Sequence, residues 1–467
     1  MAALTFSGIA SGLDTQALID ATTNASRQSK VKPSQTRVTE LTATNTAFEE
    51  LTTKLETLQS NLRQFSTLEG GGVSKTGTSS KESVVSATAT ASATNASYEV
   101  TVNTLASNHT YSFNNTYASP TSAIQSTLTG AEPVANRTVT FTVGTGGEQE
   151  TVSVEITNGS YTVQNYVDAF NAASTKARAS LVNVGTTASP SYKIVLTSLY
   201  EGTSKGTITR TALGAALTNL SGFSQSAAAN ASVTITGIGT ITRTSNSISD
   251  IIPGVTLSLS STGTATVKIA EDVPATITRV QDFVDSWNDI VTFLDENNRI
   301  TTEQDGQTTK NTFAPLSSSR IDDNALFALR SALSATVASG GSAVRVFADL
   351  GITTQRDGTL RFDTAKLQEA ISAEVSSVSS VLTTFADSVA LTNGTVDQYV
   401  RFNGLLDTTI QANQTTIDDL NKRIAEAEAQ IQRQADQLRQ RYARLESQMG
   451  KLQSQQQSLT AALSGLG

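Results

Sequence analysis

Nine apolar residues stand at seven-residue steps along the C-terminal end of the chain: Ile410, Ile417, Ile424, Ile431, Leu438, Leu445, Leu452, Leu459 and Leu466. A helix that repeats one apolar position in this way buries a narrow seam against another helix. No Pro or Gly interrupts 405–449. One helix over 405–467 is therefore predicted, about 90 Å long at roughly 1.5 Å per residue. A compact domain needs nothing of that length, so the ladder points to assembly ahead of catalysis. Its companion stripe is less regular. Leu420 and Ala427 follow a ladder position by three residues, whereas Ala435, Tyr442, Met449 and Leu463 follow one by four. The stripe therefore rotates between Ile431 and Leu438. Asn413, Gln434 and Gln456 lie in or beside the seam, where polar groups weaken packing but fix register.

A second seam lies near the N-terminus. Leu41, Phe48, Leu55 and Leu62 form one seven-step row, with Leu51, Leu58 and Phe65 as its companion. The run Gly70-Gly71-Gly72 reads as a helix stop. Residues 1–40 are polar and carry Lys30, Lys32 and Pro33, so they read as a flexible segment. Residues 41–72 read as the N-terminal helix of a leg or inner domain.

The texture changes from about 83 to 269. YEVTVNTL (98–105), RTVTFTV (137–143), TVSVEI (151–156), YKIVLTS (192–198), ASVTITGI (231–238) and VTLSLS (255–260) alternate apolar and polar residues, as half-buried strands do. One short helix, 163–174, interrupts them. Residues 83–125 with 231–272 are expected to form one β-rich domain, and 126–230 a second one inserted into it. Helical texture returns at Pro274, with Ile277, Val280, Phe283, Val284, Trp287, Ile290, Val291 and Leu294 on one broad face. Asp322 or Asp323 is the expected cap of a helix through Leu326, Leu329 and Leu333. LGITTQRDGTLRFDTAKLQEAI then reads as strand, Asp357-Gly358 turn, strand and a helix capped by Asp363 or Thr364. Residues 273–404 form an inner helix-plus-hairpin domain, and 405–467 the C-terminal coil. The class is α+β: long terminal coiled-coil helices around inserted β-rich domains.

Composition narrows the function. Among 467 residues the net charge is −8, which disfavours nucleic acid as a partner. No apolar run is long enough to insert in a membrane. The N-terminus lacks the charged start and apolar block of a cleaved secretory signal, which points to the cytosol or to export without cleavage. There is no cysteine, and His109 is the sole histidine. Common zinc sites are thereby excluded, and a Ser-His-Asp set would have to use His109. TEQDGQTTKN (302–311) has too few spaced acids for a calcium loop. No catalytic residue, cofactor or metal site is expected, and the chain does not read as an enzyme.

Several segments resemble one family. The opening FSGIASGLDTQALID (6–20) resembles the N-terminal signature of the bacterial flagellar filament cap family, hook-associated protein 2. VPATITRVQDFVDSWNDIVTFL (273–294), LGITTQRDGTLRFDTAKL (350–367), RYARLESQMGKLQSQQQSLTAAL (441–463) and YEVTVNTLAS (98–107) are similar to further blocks of that family, in the same order. VTFTV, VDAFNAAS and YKIVLTSLYEGTSKG within 139–206 resemble a repeat shared by flagellins and hook-associated proteins. The resemblance implies a secreted, extracellular cap at the filament tip that promotes assembly of exported flagellin beneath it. It implies self-association in a ring (pentamer, hexamer or stacked pair), passage through the flagellar type III export apparatus, and an export chaperone on the C-terminal coil. The ladder Ile410 to Leu459 and the row Leu41, Phe48, Leu55 and Leu62 are the expected partner-binding residues. The alternatives are a flagellin-like filament or hook–filament junction subunit, or a surface adhesin presenting the Ser/Thr-rich β domains.

Overall fold

The computed structural model describes residues 14–305, 308–337 and 344–464. Leu466 and the FSGIASGL part of the opening signature lie outside the described residues. The chain divides into two units, one of Met1–Gly72 with Ile277–Gly467 and one of Val73–Thr276.

The first unit opens with α1 (Thr15–Lys30) and α2 (Lys32–Arg63). Of residues 1–40, expected to be flexible, 1–13 lie outside the described residues and 15–30 and 32–40 are helical, and the cause is local. The Asp14 carboxylate accepts the Ala17 N–H at 2.9 Å, which caps an otherwise orphaned donor. Arg27 and Lys30 sit in the last turn of α1, where they favour the helix dipole. Pro33 sits in the first turn of α2, where its missing N–H costs nothing. The helix ends before Gly70, Gly71 and Gly72, all at positive φ.

The second unit contains β1 (Lys75–Ser79), β2 (Val85–Ala89), β3 (Ala96–Thr104), β4 (Asn108–Phe113), β5 (Thr138–Val143), β6 (Glu150–Glu155), α3 (Val163–Ala173), β7 (Ala177–Asn183), β8 (Tyr192–Glu201), α4 (Thr203–Gly206) and β9 (Ile208–Leu213). It continues with β10 (Phe223–Ser226), β11 (Ala231–Ile235), β12 (Gly239–Arg243), β13 (Ser247–Ile252), β14 (Val255–Leu259) and β15 (Gly263–Glu271). These strands build two lobes with separate cores.

In the first lobe the sheets run β1-β15-β3-β11-β12 and β13-β14-β2. Val100, Val102, Val233, Ile235, Leu257, Val267 and Ile269 fill its core. The opposite face of the larger sheet is rich in hydroxyls that pair across strands, as Thr101 with Thr264 at 2.9 Å and Thr234 with Thr240 at 2.7 Å. Such pairs bind neighbouring strands where charges are scarce. In the second lobe the sheets run β10-β4-β8-β7 and β6-β5-β9. Its core is aromatic: Tyr111, Phe113, Phe141, Tyr166 and Phe170, with edge-to-face contacts such as Tyr111–Phe113 at 5.3 Å. Helix α3 is held by a reciprocal cap between Thr162 and Asn165.

The chain enters the second lobe earlier than expected. Strand β4 pairs with β8 and β10, and Tyr117 and Ile124 lie in the second core. The stretch from 108 to 125 therefore belongs to the second lobe. The link from β3 to β4 carries no Gly or Pro that would mark the crossing.

The first unit resumes at Ile277 within α5 (Val273–Asn298), followed by β16 (Ile300–Asp305), β17 (Thr308–Phe313), α6 (Ile321–Ala335), β18 (Ile352–Thr354), β19 (Leu360–Phe362), α7 (Thr364–Ala390), α8 (Asp397–Val400) and α9 (Leu405–Ser464). Of TEQDGQTTKN, residues 302–305 lie in β16 and 308–311 in β17, and 306–307 lie outside the described residues. Trp287 is buried and donates its indole N–H to Gly358 O at 3.1 Å, tying α5 to the turn between β18 and β19. Phe283, Phe347 and Phe385 cluster beside it, with Phe347 and Phe385 5.0 Å apart. Asp363 caps α7 through the N–H groups of Ala365 and Lys366, and α7 breaks at Glu374, whose backbone is non-helical. One expected cap is corrected. Arg320, not Asp322 or Asp323, holds the cap position of α6. Asp322 is instead buried in the first turn and accepts the Asn298 amide at 2.7 Å. The fold is α+β, with helices at both chain ends and the β-rich unit inserted between them.

Candidate assembly interface

The N-terminal row is spent inside the chain. Leu41, Phe48, Leu55 and Leu62 are all buried, as are Leu51, Leu58 and Phe65, because α2 packs against α9, α7 and α8. This row closes the core of the first unit and leaves no apolar surface for a partner.

The C-terminal ladder divides. Two side-chain contacts fix the register of α9. Asn413 donates to Asn45 Oδ1 at 2.8 Å, and Asn45 Nδ2 reaches Ile410 O at 3.4 Å. Further along, Arg27 Nε pairs with Glu428 at 3.0 Å. Numbers fall along α2 and α1 as they rise along α9, so the pairing is antiparallel. Asn413 thus meets a polar partner, the arrangement that fixes register at some cost in packing. The Arg27–Glu428 pair is exposed on both sides and contributes little stability.

Along this paired stretch Ile417 and Ile431 are 7% and 1% exposed, Ala435 is buried, and Ile410, Ile424 and Leu438 are half-buried. Beyond Leu438 the cover ends. Leu445, Leu452 and Leu459 are 45%, 59% and 66% exposed, and Met449 and Leu463 are exposed with them. The ladder continues without a break in sequence, yet the described residues leave its distal part bare. The bare stretch from 439 to 464 is about 40 Å long at roughly 1.5 Å per residue.

Charge divides at the same place. The paired stretch holds Asp407, Asp418, Asp419, Glu426, Glu428 and Asp436 against Lys422, Arg423 and Arg433. The bare stretch holds Arg439, Arg441, Arg444 and Lys451 against Glu446. It is a basic amphipathic helix, and its apolar stripe is suited to an acidic or neutral helical partner.

At the other end of the ladder, Ile410 lines a groove of about 360 Å³ with Thr52, Tyr399, Val400 and Phe402. Phe402 stands almost wholly exposed there. The sequence reading did not single it out, because an isolated Phe in a short linker carries no periodic signal.

His109 is buried in the second lobe, and burial pushes its pKa below 6.5, opposed by the Gln225 side chain. Among the described residues no group of three or more His, Cys, Asp or Glu side chains comes together as a metal site. No helix among them is long and apolar enough to cross a membrane.

A chain whose ends fold together around an inserted β-rich unit, and whose longest helix has the distal part of its seam left bare by the described residues, belongs to the class of assembly proteins. A family model for the flagellar hook-associated protein 2 N-terminus matches residues 11–109, and one for its C-terminus matches 228–454; the chain belongs to the flagellar hook-associated protein 2 family. The matched segments leave 110–227 between them, close to the extent of the second β lobe. The B-type flagellar hook-associated protein 2 of Pseudomonas aeruginosa is 28% identical over 429 residues, covering 84% of each chain. The flagellar hook-associated protein 2 of Escherichia coli K12 is 26% identical over 402 residues, covering 82% of this chain and 81% of that one. In fold, the chain resembles the crystal structure of the D1-D2-D3 domains of the flagellar cap protein FliD from E. coli. The TM-score is 0.57 at 23% identity, with 79% of this chain and 99% of that one covered.

Proposed function

We propose that this protein caps the distal end of the bacterial flagellar filament, outside the cell, and promotes assembly of exported flagellin beneath it. Membership of the hook-associated protein 2 family supports the role. The observation that carries the mechanism is the bare distal stretch of α9, 439–464. Leu445, Leu452 and Leu459 form a docking stripe for the filament end, and α1, α2 and α9 act as a leg. The first unit's helices and hairpins form the inner domain, and the β lobes form the plate. Several copies close a ring through the plate and the inner domain.

The cap must advance as subunits add, so its docking contacts must exchange. A short apolar stripe that no other described residue covers suits that. Its isolated stability is marginal, and it orders against what it touches. Before export the same stripe receives a chaperone, and its excess of Arg and Lys favours one with an acidic face. A pull-down from cell extract with the full chain should recover such a chaperone, and Leu452→Asp should abolish that recovery.

The test of docking is Leu445→Asp with Leu452→Asp and Leu459→Asp in one chain. Each change falls on an exposed residue, so the fold and the ring should survive, as checked by circular dichroism and particle size. Cells carrying the variant should shed unpolymerised flagellin into the medium and fail to swim. Wild-type swimming would refute docking through this stripe.

A further inference from the structure

The two β lobes share two chain connections, at 106–108 and 228–230, and these lie side by side. Ser107 N–H donates to Ala229 O at 2.9 Å, and Ala229 N–H to Ser107 O at 3.3 Å. Two adjacent connections define a line about which two bodies can bend. A third contact, remote in sequence from both, removes that freedom.

Glu201 ends β8 in the second lobe, and Asn246 precedes β13 in the first. One Glu201 oxygen accepts the Asn246 backbone N–H at 3.0 Å, and the other accepts the Asn246 side-chain amide at 3.0 Å. That amide also donates to Ala106 O at 2.9 Å, while its oxygen accepts the Ala106 N–H at 2.8 Å. Both Nδ2 hydrogens of Asn246 are thereby used. A single side chain ties the first-lobe strand, the connection at 106 and the carboxylate of the second lobe together.

The backbone is shaped to admit this contact. Gly202 has φ +76°, and a Cβ there would stand 2.6 Å from Thr244 Cα. Only glycine lets the end of β8 lie against 244. Beside it, Thr203 donates from N–H and Oγ1 to Asn230 Oδ1 at 2.7 and 3.2 Å.

We propose that Glu201 and Asn246 are positioning residues that lock the two β lobes at one fixed angle, so that the inserted unit moves as a single plate. The inference stands on this geometry and does not depend on the capping role. Charge-assisted hydrogen bonds from two donors to a carboxylate are among the stronger ones, and none of the four bonds requires an outside partner.

The native chain has no cysteine, so paired labels report lobe geometry without background. Ile238→Cys in the first lobe and Val184→Cys in the second are both exposed. Spin labels at these positions in the full chain should give one narrow distance distribution by double electron–electron resonance. Asn246→Asp removes the side-chain donors and sets a second carboxylate against Glu201, so the distribution should broaden or split. Glu201→Gln removes one hydrogen bond without adding charge and should broaden it less. Adding Glu201→Gln to Asn246→Asp should narrow it again, because the amide introduced at position 201 then donates to the carboxylate introduced at 246; a structural defect elsewhere would not be rescued. Hydrogen exchange at core amides of β5 and β14 reports whether each lobe stays folded, and Glu201→Gln carries the test if Asn246→Asp unfolds either one. A broad distribution in the parent, or narrow unchanged ones in both single variants, would overturn the lock.

Discussion

Single residues decide how each unit closes. Trp287 is the only tryptophan, and its indole N–H meets the buried Gly358 carbonyl. Trp287→Phe keeps most of the apolar volume but leaves that carbonyl unpaired. It should lower stability by about 1–3 kcal/mol, read as a lower urea midpoint for the first unit by circular dichroism. An unchanged midpoint would mean that the hydrogen bond contributes nothing. In the β-rich unit, burial of His109 adds a pH dependence near neutrality. Its pKa is lowered by burial from 6.5, so below that pH the unfolded chain binds more protons than the folded one. His109 thus contributes stability that is present above about pH 6.5 and is lost as pH falls towards its folded-state pKa. His109→Gln should flatten the fall in unfolding midpoint between about pH 7 and pH 5. An equally steep fall in the variant would assign the dependence to other groups. That His109 is a core residue was not legible in LASNHTYSF, because alternation there fixes a strand but not which neighbour covers it.

At the scale of elements, the long helix was plain in the sequence and its occupancy was not. A seven-residue apolar ladder is visible wherever it occurs. Which part of it is covered depends on the partner, and α1 offers few apolar residues. Its buried face is Thr15, Ile19 and Thr23, which reads as polar and loosely ordered until Asp14 and the α9 surface are in place. The β strands were legible from alternation, whereas the crossing between lobes at 107–108 was not, since only the separate cores reveal it. The divided ladder makes two substitutions behave differently. Ile431→Asp buries a charge against α1 and should cost several kcal/mol, lowering the thermal midpoint of the first unit. Leu452→Asp should leave that midpoint unchanged and affect only what binds the distal stripe, the filament end and the chaperone. Amide hydrogen exchange on the free chain should show protection through 406–438 and fast exchange through 442–464. Uniform protection along α9 would mean that the distal stripe is already covered.

At the scale of the whole molecule, division of labour follows from composition. The chain ends hold the long seams, and the inserted unit holds hydroxyl-rich sheets with few charges. In the proposed role, one end of the chain exchanges contacts with a growing filament, while the inserted unit presents fixed surfaces to neighbouring copies. Order of segments along the chain carried much of this reading, because helix, β insert and helix force the termini together. The family resemblance supplied the filament tip, which no residue pattern could specify alone. The most direct measurement is immunogold electron microscopy on intact flagellated cells with antibody raised against residues 83–269. Gold confined to the distal filament tips is the predicted result. Gold along the filament, at its base or on the cell body would contradict the capping role.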